Sequence, residues 1–222
     1  MSSSFDTVVL DVDGTLVDSN YQHAMSWFKA FRRFDVTPSL WRIHRALGMG
    51  GDKLVTEVAG DEVEQRHGDG LRTAWEEELG AYLPEICAVH GARRLLERLH
   101  ERGCVVVIAS SGKSDHVDHY LDLLDARPLA DAWTSSADAE QTKPAPDLLT
   151  TALDRVDHGN PVMVGDSIWD VISASEIDLN THCLLTGGFS VAELEKAGAA
   201  GVHEDLDALW TTLNPLLMAR RH

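Results

Sequence analysis

The stretch FDTVVLDVDGT, residues 5–15, decides the fold of this 222-residue chain. Its first half is mostly apolar, which predicts a buried strand from Phe5 to Leu10. This strand runs directly into Asp11 and Asp13, and Gly14 then allows the chain to turn. A short apolar run that ends in polar residues is typical of a parallel sheet, in which ligands bind beyond the carboxyl ends of the strands.

The rest of the chain repeats the alternation of strand and helix. Further strands are predicted at Val105–Ala109, Pro161–Val164 and Cys183–Leu185. Helical spacing of apolar residues marks Ala92–Glu101 and two segments that begin at Ser114 and Pro146. Such alternation predicts an α/β fold with a doubly wound, Rossmann-like parallel sheet.

One region interrupts the alternation and predicts a second unit. Between Asn20 and Ala88 we find helical patterns, clearest at Tyr21–Phe34 and Gly70–Tyr82, and no convincing strand. We therefore expect a small all-helical domain at residues 19–88, inserted into an α/β core made of residues 1–18 and 89–222. The segment from Pro84 to His90 is the expected return hinge.

Composition narrows the range of partners and locations. The formal net charge of −17 argues against nucleic acid and against an anionic membrane surface as partners, although a small anionic ligand remains possible. The three cysteines are scattered, so we expect no disulfide framework and interpret Cys104 and Cys183 as core residues. No signal peptide and no membrane-length apolar run is evident, which predicts a cytoplasmic protein. The oligomeric state is left open.

Polar residues gather where the predicted strands end. The later ones are Ser110 and Ser111 after the second strand, Asp166 and Asp170 after the third, and Lys143 in a proline-stiffened loop. Converging carboxylates repel one another unless a hard cation binds among them, and oxygen ligands suit Mg²⁺. An ammonium group and hydroxyl donors stabilise the charge on a phosphoryl group, and a carboxylate can attack phosphorus.

These residues form an ordered set that resembles the motifs of the haloacid dehalogenase-like hydrolase superfamily, in its phosphatase branch. The matching elements, in order, are Asp11-x-Asp13-Gly14-Thr15, Ser110 after an apolar strand, Lys143 in Lys-Pro-x-Pro, and Gly165-Asp166-x-x-x-Asp170. The helical insertion resembles the family's all-helical cap domain. The resemblance covers nearly the whole chain.

The resemblance implies a role for each residue of the motifs. Asp11 would be the nucleophile, and Asp13 the general acid and then the general base. The dehalogenases and the carbon–phosphorus-cleaving enzymes of this superfamily lack an acid two positions after the nucleophile, so Asp13 favours phosphate ester chemistry. Lys143 would neutralise the phosphate and Asp11, and Asp170 would orient Lys143 or a metal-bound water.

The resemblance also implies a metal site and a phosphate site. Mg²⁺ would be held by the carboxylates of Asp11 and Asp166 and by the backbone carbonyl of Asp13. The phosphoryl oxygens would be bound by Ser110, by the backbone N–H of Ser111 and by Lys143, with Thr15 in a supporting position.

The expected activity is hydrolysis of a small phosphorylated metabolite, with phosphoglycolate-like compounds or sugar phosphates as candidates. A sugar phosphomutase that resembles β-phosphoglucomutase would share every motif, and a non-catalytic binding protein could retain the fold. Within the predicted cap, Arg45 and Lys53 lie in a basic segment, and we expect one of them to face the distal part of the substrate when the cap closes. A solvated basic helix face is the alternative for both.

Overall fold

The computed structural model describes residues 4–218 and contains a six-stranded parallel sheet. Across the sheet the strands run in the order β5-β4-β1-β6-β7-β8. The strands of this sheet are β1 Thr7–Leu10, β4 Val105–Ala109, β5 Ala132–Thr134, β6 Pro161–Gly165, β7 Thr181–Leu184 and β8 Gly201–His203. Two more strands, β2 Val17–Asp18 and β3 Cys87–Ala88, form a separate antiparallel pair. The predicted α/β class with a parallel sheet is confirmed.

Helices cover both faces of this sheet and also build the insertion. Within the described part of the chain they are α1 Asn20–Arg33, α2 Leu40–Ala46, α3 Gly51–Ala59, α4 Asp61–Gly80, α5 Ala92–Glu101, α6 Ser114–Leu123, α7 Asp147–Asp154, α8 Ile168–Ser175, α9 Val191–Ala197 and α10 Leu206–Leu213. Along β1, Val8 and Leu10 join one buried apolar cluster and Val9 joins another. This alternation is expected of a strand with both faces buried.

The sheet order brings the ends of three strands together. β1 lies between β4 and β6, and Leu10 is in register with both Ile108 and Val164. The backbone N–H of Asp11 continues the ladder by donating to the carbonyl of Val164 at 2.9 Å. Residues that directly follow β1, β4 and β6 therefore share one edge of the sheet, as the sequence predicted.

Helices α1–α4 form a bundle, which we call the cap; the remainder is the α/β core. On α1 the buried positions include Asn20, His23, Ala24, Trp27 and Phe31, a spacing that places them on one helical face. The apolar members of this face pack against α4 within one continuous hydrophobic cluster. The cap is joined to the α/β core through the β2–β3 pair.

Several elements differ from the sequence-based expectation. Cys87–Ala88 is a strand, although no strand was predicted between Asn20 and Ala88, because two residues are too few to show a pattern. Strands β5 and β8, three residues each, were also missed. The fourth predicted strand is displaced to Thr181–Leu184, and the helix predicted from Gly70 begins at Asp61.

The state of the cysteines agrees with the interpretation of the sequence. All three cysteines are free, and Cys104 and Cys183 are buried as predicted.

Between residues 4 and 218, no helix combines the length and the apolar character that crossing a membrane would require.

Contacts on several sides hold the cap against the α/β core. Trp169 donates from its indole Nε1 to the carbonyl of Arg45 at 3.0 Å. The backbone N–H of Gly50 donates to Oγ1 of Thr142 at 3.1 Å. Lys113, at the start of α6, pairs with Glu76 on α4. The cap and the α/β core are therefore in direct contact, an arrangement that we call closed.

The stability of the cap depends on its aromatic interior. Phe31 on α1 is fully buried, whereas Tyr21 on the same helix is 63% exposed. We expect Phe31→Ala to lower the free energy of unfolding by about 3–5 kcal/mol, because the truncation leaves a cavity. Tyr21→Ala is the matched control and should cost less than about 1 kcal/mol. If urea unfolding showed an equal loss of unfolding free energy in the two variants, this description of the packing would be contradicted.

The pair His182–His203 predicts a dependence of stability on pH. The two buried rings lie on β7 and β8, with Nδ1 of His182 and Nε2 of His203 2.9 Å apart. Burial, with a smaller effect of His203, lowers the pKa of His182 to about 4. The unfolded chain, with a histidine pKa of about 6.5, therefore binds the proton first as the pH falls. The contribution of His182 to the free energy of unfolding is therefore complete above pH 6.5, and about 2 kcal/mol of this free energy is lost by pH 5.

Urea unfolding at pH 7 and pH 5 checks this expectation. His182→Gln removes the titrating group and should reduce the loss of stability between the two pH values. The exposed His119, replaced by Gln, serves as the control and should leave the loss as it is in the parent. An unchanged loss in His182→Gln would show that burial of this histidine is not its cause.

Candidate active site

A buried ion cluster lies at the shared edge of β1, β4 and β6. Lys143 is fully buried, and its Nζ donates to Asp11 and, at 2.6 Å, to Oδ1 of Asp170. Burial alone would lower the pKa of Lys143, but the two carboxylates hold it above its usual range. The ammonium therefore stays charged and ties together the loop after β1, the loop before α7 and the first turn of α8.

Asp170 is held in place by the start of its own helix. Ser167 is the N-cap of α8, and Asp170 completes a capping box with it. Oδ2 of Asp170 accepts from Oγ of Ser167 at 2.6 Å and from the backbone N–H of Ser167 at 3.0 Å. Since Oδ1 already accepts from Lys143, the geometry makes Asp170 the group that orients the lysine.

Asp11, Asp166 and Asp170 form a cluster that could hold a metal ion, with one oxygen of each within 4.8 Å of the others. Burial raises the pKa of Asp11 to about 7, although Lys143 acts in the opposite direction. Burial, together with the charges of Asp170 and Asp11, also raises the pKa of Asp166. One ammonium does not balance three acids, and a divalent cation with a preference for oxygen would.

The surroundings of Asp166 fit such a cation. Its Oδ2 accepts from the side-chain amide of Asn20 at 2.8 Å, and Oγ1 of Thr15 lies 3.4 Å from Oδ1. Gly14 has a φ of +77°, and a Cβ there would lie 2.0 Å from Oδ2 of Asp166. Only glycine therefore leaves this carboxylate room, and an oxygen-lined position beside Asp11 suits Mg²⁺.

Asp13 lies at the contact between the cap and the α/β core. Its Oδ1 is 2.9 Å from Nε2 of His23 and accepts from the hydroxyl of Ser19. Burial acts to raise the pKa of Asp13, but the electrostatic interaction with His23 and the hydrogen bonds from His23 and Ser19 hold it below its usual range. The cap thus supplies partners for an acid to which the family resemblance gives a role in proton transfer.

The segment after β4 forms the opposite wall of the site. Ser110 is fully buried, and its Oγ accepts from the backbone N–H of Gly112 at 3.0 Å. Ser111 and Gly112 line the cavity beside Asp11. Sequence analysis identified Ser110 and Ser111 but not Gly112. The backbone of Gly112 turns back towards the Ser110 hydroxyl and also lines the cavity.

The cavity above Asp11 is small and largely apolar on the side of the cap. It measures about 50 Å³, and its lining includes Asp11, Asp13, His23, Trp27, Met49 and Trp75. The ring of Trp75 stacks on Trp27, with centroids 5.2 Å apart, and on His23 at 5.6 Å. No Lys or Arg side chain of the described residues is among those that line this cavity.

The structure places Arg45 and Lys53 away from this cavity. The guanidinium of Arg45 lies 3.8 Å from the ring centroid of Phe189 and pairs with Glu193 at 2.6 Å. Lys53 donates to Oε1 of Gln141 at 3.2 Å. Both therefore bind residues of the α/β core at the outer contact with the cap, instead of reaching the cavity where we expected one of them to meet the substrate.

Sequence reasoning missed several residues that reach the site from the cap. Asn20, His23 and Trp27 occupy positions i, i+3 and i+7 of α1, so they continue the apolar face of that helix into the cavity. The signal in the sequence was polar residues at the beginning of an otherwise apolar stripe. Trp75 reaches the site from α4, and no local pattern distinguishes it from a core residue.

The buried cluster predicts an unusual stability for variants of Lys143. In buffer without divalent cations, Lys143→Met should lower the free energy of unfolding by about 3–5 kcal/mol at pH 8, because buried carboxylates lose their partner. The loss should shrink towards pH 5, since acids whose folded pKa is raised gain stability on protonation. Lys113→Met, at a pair with a 44%-exposed lysine, is the control and should cost less than about 1 kcal/mol. An equal effect of both variants, or no pH dependence, would contradict this geometry.

Comparison with known proteins places this site in a family. The sequence model of the haloacid dehalogenase-like hydrolases matches residues 5–178. Validoxylamine A 7'-phosphate phosphatase from Streptomyces hygroscopicus subsp. limoneus is 26% identical over 153 residues, which are 67% of this chain and 70% of that protein.

Solved structures have the same architecture. A hydrolase from Pseudomonas syringae is 30% identical with a TM-score of 0.89, over 95% of this chain and 99% of that one. A HAD family hydrolase from Deinococcus radiodurans R1, solved with bound phosphate and sodium, has a TM-score of 0.72 at 23% identity, over 96% and 97% of the two chains. This chain therefore belongs to the haloacid dehalogenase-like hydrolase family.

Proposed function

We propose that this protein is an Mg²⁺-dependent phosphatase that hydrolyses the phosphate monoester of a small metabolite through a phosphorylated Asp11. The observation that carries the proposal is the buried cluster in which Lys143 bonds to Asp11 and Asp170 while Asp166 lies beside them. Membership of a hydrolase family and similarity to a protein named as a phosphatase support it.

Mg²⁺ would be held by the carboxylates of Asp11 and Asp166 and by the backbone carbonyl of Asp13. Asp170 is instead assigned to Lys143, because the ammonium bonds to its Oδ1 while the hydroxyl and the backbone N–H of Ser167 both bond to its Oδ2. When bound, the cation would offset the negative charges of the carboxylates and of the phosphoryl oxygens.

In the first half of the reaction, a carboxylate oxygen of Asp11 attacks phosphorus and the bond from phosphorus to the ester oxygen breaks. Asp13 donates a proton to the departing alcohol, so the alcohol leaves uncharged. Because the pKa of Asp13 lies below its usual range without substrate, we propose that the negative charge of the bound phosphate raises this pKa and that Asp13 takes up the proton at that stage. Lys143 favours the ionised form of Asp11 and holds it in position, and Ser110 with the backbone N–H group of Ser111 binds the phosphoryl oxygens.

In the second half, a water molecule attacks phosphorus and the bond between phosphorus and Asp11 breaks. Asp13, now ionised, accepts a proton from this water, and orthophosphate leaves. Asp13 must therefore change protonation state twice in each cycle. His23 and Ser19 bond to the same oxygen of Asp13, which fixes the direction from which it reaches the leaving group.

The residues that line the cavity limit the kinds of leaving group that it can accept. A carboxylate such as that of phosphoglycolate would lie among Trp27, Met49 and Trp75, where none of the described lining residues is a Lys or Arg that could pair with it. An unpaired charge in such a place is costly. We therefore propose an uncharged, hydroxyl-bearing leaving group, which favours sugar phosphates over phosphoglycolate among the two expected classes.

Phosphate release from a panel of sugar and polyol phosphates tests the activity. We expect release with Mg²⁺, none with a chelator, and a loss of about 10³-fold or more in Asp11→Asn, because the nucleophile is removed. Asp18→Asn changes an exposed aspartate seven positions away and should retain the parental rate. Isomerised sugar phosphate with little free phosphate would identify a phosphomutase instead, and turnover of no ester would indicate a non-catalytic protein.

The choice of leaving group is tested separately by comparing phosphoglycolate with glycerol 3-phosphate and glucose 6-phosphate. We expect kcat/KM to be at least about tenfold lower for phosphoglycolate, since its carboxylate would have no Lys or Arg partner among the described residues that line the cavity. Phosphoglycolate as the best substrate of the three would contradict this account of the cavity.

A further inference from the structure

A second, larger cavity adjoins the first between the cap and the α/β core. It measures about 260 Å³, and Gly51, Trp75 and Ser111 line both cavities. The inner cavity, at about 50 Å³, has room for about four water molecules, which is little more than a phosphoryl group requires. In the closed structure the body of any leaving group must therefore extend outward past Trp75.

The charged groups around the outer cavity are already paired or acidic. Arg72 bonds to Glu64 at 2.9 Å, to Asp69 at 2.8 Å and to the carbonyl of Gly51 at 3.1 Å. Lys113 pairs with Glu76. The lining also contains Asp52 and Glu140, so the described residues of this wall offer no unpaired Lys or Arg to a second phosphate or carboxylate. Carboxylate oxygens are instead suited to accept from hydroxyl groups.

Trp75 forms the wall between the two cavities. The residue is 9% exposed, and its indole Nε1 is buried away from both cavities, so a ligand would meet the ring and not the N–H group. The exposed part of the indole offers an apolar surface for the C–H face of a sugar-like ring, and Ser111 and Ser136 add hydroxyls nearby.

We propose that the two cavities act as one substrate cleft, and that the preferred substrate is the monophosphate of a neutral, polyhydroxylated molecule of two-ring size. The phosphate binds at Asp11, the proximal ring passes Trp75, and the distal ring occupies the outer cavity. This assignment rests on the proposed function, because it uses the phosphoryl position at Asp11 to anchor the substrate.

Binding to the unreactive Asp11→Asn protein tests the assignment without turnover. In the presence of Mg²⁺, calorimetry would compare trehalose 6-phosphate, sucrose 6-phosphate and lactose 6-phosphate with glucose 6-phosphate, fructose 6-phosphate and galactose 6-phosphate. We expect at least one disaccharide phosphate to bind tenfold or more tightly than every monosaccharide phosphate. If all three disaccharide phosphates bind no more tightly, the proposal is wrong.

Two alanines provide a matched pair of variants, each made in the Asp11→Asn protein. Ala139 lines the outer cavity and has extended backbone angles, so Ala139→Trp should fill the cavity without strain. Ala137, two residues earlier, is exposed and lines neither cavity. The ratio of disaccharide to monosaccharide affinity should fall about tenfold in Ala139→Trp and remain at the parental value in Ala137→Trp. A ratio that persists in Ala139→Trp would overturn the placement of the distal ring.

The same comparison separates this proposal from the proposed phosphatase function. Phosphate release by the parent protein, with no affinity advantage for disaccharide phosphates, would retain the phosphatase and reject the outer site. An affinity advantage that Ala139→Trp abolishes, with no phosphate release by the parent, would retain the outer site and reject the phosphatase.

Discussion

The organisation of this protein depends on the burial of one ammonium group, that of Lys143, between Asp11 and Asp170. A charge with no exposure to water is tolerated only when partners surround it. Those partners follow β1 and begin α8, so three separate loops must meet at one point. The sheet order meets this requirement, because β1 lies between β4 and β6 and delivers their carboxyl ends side by side. The same arrangement concentrates acids beyond what one lysine can balance, and that excess of negative charge is the reason for proposing a cation site there.

The cap takes part in this chemistry through the helix that connects it to the α/β core. One face of α1 carries Asn20 and His23 near its beginning and apolar residues farther along. The apolar part stabilises the cap, and the polar part bonds to Asp166 and Asp13. Packing of the cap and positioning of the acids are therefore coupled within one helix. Opening the cap would withdraw His23 from Asp13, so complete assembly of the site coincides with exclusion of bulk water.

Much of the fold and the polar ends of its strands could be predicted from the sequence, because buried parallel strands are continuous apolar runs and the motif residues follow them directly. The short strands Ala132–Thr134 and Cys87–Ala88 could not, since two or three residues carry no periodicity. His23 escaped notice because it shares the stripe of core residues on α1. Charge alone suggested Arg45 as a substrate contact, but its side chain finds Phe189 and Glu193 first. Long-range pairing of that kind leaves no local pattern.

The central claim is that Asp11 carries the phosphoryl group during turnover, and chemical trapping tests it most directly. Protein mixed with Mg²⁺ and a phosphate ester that it hydrolyses would be quenched within the first turnover and reduced with borohydride, which converts an aspartyl phosphate to homoserine. Mass spectrometry of the peptide that contains residues 5–15 should then show homoserine at position 11, and only in samples that received substrate. Phosphate release with Asp11 unmodified and another carboxylate reduced would contradict the account.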